Sequence, residues 1–216
     1  ATPEAIAAMQ KADADRRAQD FANLCRYAAE NAAVMASGAR PRTVFIGDSI
    51  TENWKLGDPA LFGPEVLNRG IGGQTTPQIL LRFYQDVVML RPRAVHIMAG
   101  VNDIMGNHGP TSDAAIIHNI RAMIDIAKAN RIRVVLAGIT PAQTFVARPD
   151  VDLRPRIAEV NRQLALLADE ERITFVDYSP VLANDDAGLA ASLGNDGLHP
   201  NRAGYAAMRN VADSAL

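Results

Sequence analysis

Four short stretches hold side chains able to move an acyl group: residues 47–49 (Gly-Asp-Ser), 70–75, 100–103 (Gly-Val-Asn-Asp) and 196–200 (Asp-Gly-Leu-His-Pro). Ser49 supplies a hydroxyl that becomes a nucleophile once a base takes its proton. A histidine in that role needs an acid on its other ring nitrogen to hold the tautomer and stabilise the imidazolium. Asp196, three residues before His199 and in a loop, can fold its carboxylate back onto that ring. The same residues also read as plain turn chemistry. Asn195-Asp196-Gly197 is a strong turn signal, His199 can simply open the last helix, and Gly-Asp-Ser is an ordinary turn. Acyl transfer further needs donors aimed at the oxygen that becomes negative. Gly73 offers an approachable backbone N–H at a helix N-terminus, Asn102 a side-chain amide, and Ser49 its own N–H, a set suited to an oxyanion hole.

Such groups act only if a frame brings them together. Residues 43–46 are β-branched or aromatic, with Pro41 before them and Gly47 after, which predicts a buried strand that ends just before Ser49. Further strands are predicted at 65–69, 94–99, 134–139 and 173–178. Helices are expected from Thr76 as cap with Pro77 at the first position, over 112–130, over 155–171, and from Asn201 as cap. Strand and helix alternate five times. This predicts an α/β three-layer sandwich whose parallel five-stranded sheet, of flavodoxin-like order 2-1-3-4-5, is covered by helices on both faces. In that order the reversal falls between strands one and three, which places Ser49 beside Asn102 at the ends where ligands bind.

Before the first strand, an alanine-rich arm over 1–38 reads as one long helix or two, begun by Thr2 and Pro3 and stopped at Gly38. Ile6, Met9, Phe21, Leu24, Ala28 and Met35 form its candidate apolar stripe, and the arm is read as packing on a single domain spanning 1–216. At 216 residues and 48% hydrophobic content the chain can bury about 70% of its unfolded surface without staples. A formal charge of -2, with no basic run, gives no general attraction to nucleic acid or to acidic lipid. No apolar run is long enough to insert in a membrane, and self-association is left open. The single cysteine, Cys25, excludes an internal disulfide and reads as a small buried residue on a helix. The chain starts at Ala1, which suggests removal of a signal peptide or a tag and favours a soluble periplasmic or secreted protein over a cytoplasmic one.

Taken in order and spacing, the segments Gly47-Asp48-Ser49-Ile50, Asn68 through Thr75, Gly100 through Asp103 and Asp196 through Pro200 resemble the four motif blocks of the SGNH or GDSL hydrolases. The resemblance spans almost everything after residue 42. It implies a flavodoxin-like esterase or lipase fold with Ser49 as nucleophile, Gly73 and Asn102 as oxyanion donors beside the Ser49 N–H, His199 as base and Asp196 as its partner. The wording around Gly70 and the Asn53-Trp54 pair look most like the branch of platelet-activating-factor acetylhydrolase subunits and their bacterial relatives. Two positions depart from the pattern: Ile50 replaces a leucine, and Gln74 stands where many members carry aspartate.

What the resemblance implies is hydrolysis of small carboxylic esters without a cofactor or metal, with carbohydrate O-deacetylation or acyl transfer as alternatives within the family. A non-catalytic or nucleotide-binding flavodoxin-like protein is the alternative of another class. Against it, the Gly70-x-Gly72-x-x-Thr75 loop lacks the third glycine and no acidic residue ends the following strand. His96, His108 and His118 read as structural or solvated. Trp54 reads either as a lining of the pocket mouth or as a packed surface-loop aromatic. The loops expected to shape the pocket, 51–64, 103–111, 141–152 and 179–195, carry scattered apolar residues such as Phe145, Leu189 and Leu193. None forms an amphipathic lid, which predicts a site for acetyl to butyryl groups.

Overall fold

The computed structural model of the chain describes residues 3–144 and 151–216. Thr2 and Phe145 lie outside the described residues, as do the side chains of Ile6 and Met9. Among the described residues five parallel strands form one sheet: β1 (Thr43–Gly47), β2 (Val66–Gly70), β3 (Ala94–Met98), β4 (Arg133–Ala137) and β5 (Thr174–Val176). Their order is β2-β1-β3-β4-β5, the order expected from sequence. The helices are α1 (Pro3–Gln19), α2 (Ala28–Ala36), α3 (Ser49–Gly57), α4 (Thr76–Asp86), α5 (Val101–Ile104), α6 (Asp113–Ala129), α7 (Arg154–Glu171), α8 (Ser179–Leu182) and α9 (Arg202–Ala215). No helix among the described residues is long and apolar enough to cross a membrane.

Residues of β1, β2 and β3 are buried throughout, because helices cover both faces and leave no solvent side to alternate toward. The register pairs Gly47 with Gly70 on one side and with Met98 on the other, so the three strands end level. Whatever follows each strand therefore starts from one edge. Helix α3 leaves that edge so tightly that a Cβ on Gly47 would collide with the Met98 carbonyl and Thr51, and one on Gly70 with the Glu52 backbone. Only glycine fits at those two crossings.

Beneath the edge lies an aromatic cluster. Trp54 is fully buried, stacks on Tyr205 at 5.7 Å and meets Phe45 and Tyr178 edge-on. It belongs to the core, at neither a pocket mouth nor a loop surface, because the expected loop after Ser49 is helix α3 and turns Ile50 and Trp54 inward. His96 stacks on Phe45 at 4.5 Å, and its Nε2 lies 2.9 Å from the Tyr178 hydroxyl. Burial pushes this ring down to about 3, so it stays neutral, which fits the structural role expected of it.

Three local expectations are corrected. The cap of α4 is Thr75, not Thr76. The Gln78 side chain accepts the Thr75 N–H at 3.0 Å, while the Thr76 N–H and hydroxyl both go to the Asp103 carboxylate at 2.9 and 2.7 Å. In the arm, Phe21, Leu24 and Met35 are exposed, as is Ala28, so these four do not dock it; Ala22 and Tyr27 are buried and Val34 packs against the core instead. Polar contacts add to these: Gln78 and Gln85 donate to the Phe21 and Leu24 carbonyls at 2.7 Å each, and Asn31 donates to Asp86 at 2.7 Å. Cys25 is exposed in the turn between α1 and α2, where its N–H is held at 3.0 Å by Asp20.

Candidate active site

Asp48 lies between β1 and α3 and caps the helix, its carboxylate accepting the Ile50 N–H at 3.0 Å. That Asx cap puts Ser49 in the first turn of the helix, where a backbone N–H has no intrahelical acceptor. Burial pushes Asp48 up to about 7 against the lowering effect of that hydrogen bond, so the cap is only partly charged near neutrality. The position had not been singled out for any role, although an aspartate before a serine is a readable capping signal.

Across the edge, the loop before α9 folds back. Asn195 donates its N–H to the His199 carbonyl at 2.9 Å, and Gly197 turns the chain with φ +82. Asp196 is thereby aimed at the histidine twice. Its Oδ1 accepts the backbone N–H groups of Leu198 at 3.1 Å and His199 at 2.8 Å, and its Oδ2 lies 2.7 Å from His199 Nδ1. Partial burial raises the Asp196 carboxyl, but the donors from His199 and Leu198 outweigh it and hold the group below its ordinary range. An ionised Asp196 fixes the Nδ1–H tautomer and leaves Nε2 as an acceptor. That Nε2 stands 2.9 Å from Ser49 Oγ. Helix α9 is fastened to α3 by the Tyr205 hydroxyl, which donates to the Ile50 carbonyl at 2.8 Å, so the two halves keep their spacing.

The donors converge from the other two strand ends. Gly73, with φ +74, follows β2, a conformation that a side chain would strain. Asn102 sits in α5 after β3 and is buried, with Nδ2 donating to the Gln74 carbonyl at 3.0 Å. Its Oδ1 accepts from Asn107 Nδ2 at 2.7 Å, which settles which way the amide faces. Sequence reasoning missed Asn107, and a lone asparagine in a loop carries no signal for this task. Ser49, Gly73, Asn102, Met105, Asn107, Leu198 and His199 line one cavity of about 200 Å³. All five residues singled out from the sequence thus lie together. His108 and His118 are exposed.

A serine bonded to a neutral imidazole beside polarised N–H groups can attack a carbonyl carbon and hold the oxyanion that results. Comparison with known proteins agrees with that chemistry. A GDSL-like lipase from Bacteroides thetaiotaomicron VPI-5482 superposes with a TM-score of 0.84 at 37% identity, covering 90% of this chain and 97% of that one. The acetylxylan esterase of Geobacillus stearothermophilus is 26% identical over 205 residues, 79% of this chain and 91% of the relative. A 39-residue stretch, 18% of this chain and 16% of the relative, is 51% identical to the uncharacterized lipoprotein YqeF of Bacillus subtilis (strain 168). Residues 45–207 match the model of the GDSL-like Lipase/Acylhydrolase family. The chain belongs to that family and is a carboxylic ester hydrolase.

Proposed function

We propose that the protein cleaves esters of short acyl groups in two steps through an acyl-enzyme on Ser49. Ser49 Oγ bonds to the ester carbonyl carbon as its proton passes to His199 Nε2. The carbonyl oxygen becomes an oxyanion held by the N–H groups of Ser49 and Gly73 and by Asn102 Nδ2. Collapse breaks the bond to the alcohol oxygen, which leaves with the proton from His199. Water then attacks the acyl carbon, gives its proton to the same nitrogen, and the acid departs as Ser49 is reprotonated. Asp196 keeps Nδ1 protonated and stabilises the imidazolium throughout. The observation that carries this reading is the unbroken line from Ser49 Oγ to His199 to Asp196, at 2.9 and 2.7 Å, with Ser49 and His199 on the wall of one cavity.

The size of that cavity, about 200 Å³, supports the short acyl preference. It falls below the roughly 300 Å³ at which pockets for larger ligands begin, and each added methylene gains about 0.8 kcal/mol only while there is room to bury it. In a series of aryl esters, activity is expected to peak between acetyl and butyryl with no jump when substrate forms micelles. A maximum at long chains together with such a jump would make the protein a true lipase. Asn102→Ala is expected to lower kcat by about 10² to 10³ with little change in KM. A change confined to KM would make Asn102 a substrate-binding residue only.

A second reading, deacetylation of carbohydrate, is supported by the acetylxylan esterase relative and by a polar hollow of about 140 Å³ that shares Gly73 and Asn107 with the acyl cavity. Arg16, Gly72, Gln74, Gln78 and His108 complete its wall, surroundings suited to a hydroxylated alcohol. A periplasmic or secreted location is supported by the local likeness to a lipoprotein.

A further inference from the structure

The N-terminal arm precedes the family-matched residues 45–207, yet it is tied to the loop that carries Gly73. Gln74 is the main link. Its buried Nε2 donates to the Ala22 carbonyl at 2.8 Å, while its Oε1 accepts from Arg82 Nε at 2.6 Å. Its backbone carbonyl accepts from Asn102, so one residue touches the arm, the core and an oxyanion donor. On the other side of Gly73, the Gly72 N–H donates to Glu52 Oε2 at 2.7 Å, and the Glu52 carboxylate meets Arg26 of the arm at 3.3 Å. Tyr27 closes the set by donating its hydroxyl to the Gly70 carbonyl at 2.5 Å.

A loop with glycine at 70, 72 and 73 has many backbone conformations open to it, and donors to a developing charge must stay within about 0.5 Å of the productive geometry. Something outside the loop has to remove that freedom. Arg82 does part of it, spanning the Arg69 carbonyl at 2.7 Å and the Gly47 carbonyl at 2.9 Å, but Arg82 only donates to its partners. The Ala22 carbonyl needs a donor and Arg82 Nε an acceptor. An amide at position 74 satisfies both, whereas a carboxylate satisfies only the second.

We propose that arm residues 21–27 form a clamp that positions Gly73 and Asn102, acting through Gln74 as the positioning residue. The proposal rests on the assignment of those two groups as oxyanion donors. The arm is then part of the working enzyme, although it contributes no atom to the acyl cavity. Gln74→Glu retains volume and the acceptor for Arg82 but sets a carboxylate against the Ala22 carbonyl. With an aryl acetate it is expected to lower kcat by about 10-fold to 10²-fold, as for a small misplacement, with KM within about twofold. Ala22→Arg, which forces the arm off the loop without touching Gln74, is expected to give a matching loss of kcat. Because both changes break one link, the double variant is expected to lose no more than either single one. Unaltered kcat in Gln74→Glu, or losses that multiply in the double variant, overturns the clamp. Should Gln74→Glu fail to fold by circular dichroism, Ala22→Arg alone decides, full kcat overturning the clamp and a kcat-only loss supporting it. Asn102→Ala is run alongside: full kcat there removes the donor assignment and the clamp with it, whereas a loss there beside intact kcat in Gln74→Glu removes the clamp alone.

Discussion

Ser49→Ala is expected to lower ester turnover by about 10⁴ to 10⁶-fold, down to what the remaining donors and binding supply. The size of the effect follows from position. Ser49 Oγ is the atom bonded to His199 Nε2, and the deletion leaves an intact imidazole and an intact cavity with nothing to acylate. The fold is not expected to suffer, since Ser49 is only half-buried and the start of α3 is held by Asp48 rather than by Ser49 itself. Thermal melting of the variant and labelling of the parent by a serine-directed phosphonate check the two halves of the claim. Normal turnover in the alanine variant, or a phosphonate adduct on another residue, would remove the acyl-enzyme reading.

The second large effect belongs to His199. His199→Ala is expected to match the serine variant, because residues that act as a unit do not lose activity additively. Asp196→Asn keeps a hydrogen-bonding side chain but no charge, and is expected to cost about 10⁴-fold while remaining more active than His199→Ala. The pH dependence has a definite sign. Asp196 is held below the ordinary carboxylate range and so stays charged through the working region, and kcat/KM is expected to hold there and to fall when acidification reaches the protonation of that carboxylate. Steady-state rates across pH check this. If His108→Ala, on the exposed loop, proved as damaging as His199→Ala, the base would be misassigned.

The strands and their order could be read from the chain because β1, β3 and most of β4 are buried on both faces and so appear as short, mainly apolar runs, and parallel pairing then restricts the crossovers. The five site residues could be read because each lies just past a strand end or in a loop with a marked turn. Helix α3 could not. Its inward side offers only Ile50, Thr51 and Trp54, of which two are apolar, amid Glu52, Asn53 and Lys55, too short a pattern to outweigh Gly57 and Pro64. The arm misled for a different reason. Several of its contacts run from its own carbonyls at 21, 22 and 24 to glutamines at 78, 74 and 85, and backbone acceptors leave no trace in hydrophobic periodicity. Phe21 and Leu24 therefore looked like the docking face and are instead exposed. Asn107 and Arg82 belong to the same class of residue, polar groups whose partners are brought near only by the finished fold.

Trp54 is the only tryptophan in the chain, and it lies little more than a turn beyond Ser49 on the same helix. The protein thus carries a single indole fluorophore at the base of its own nucleophile. Sealed from solvent between Tyr205, Phe45 and Tyr178, it emits from one apolar environment, and selective excitation sees no other part of the molecule. A red shift in that emission reports water reaching the floor of the site, while fraying of the arm or the chain ends leaves it dark to the detector. Loss of packing under Ser49 can in this way be followed optically, apart from the chemistry above it.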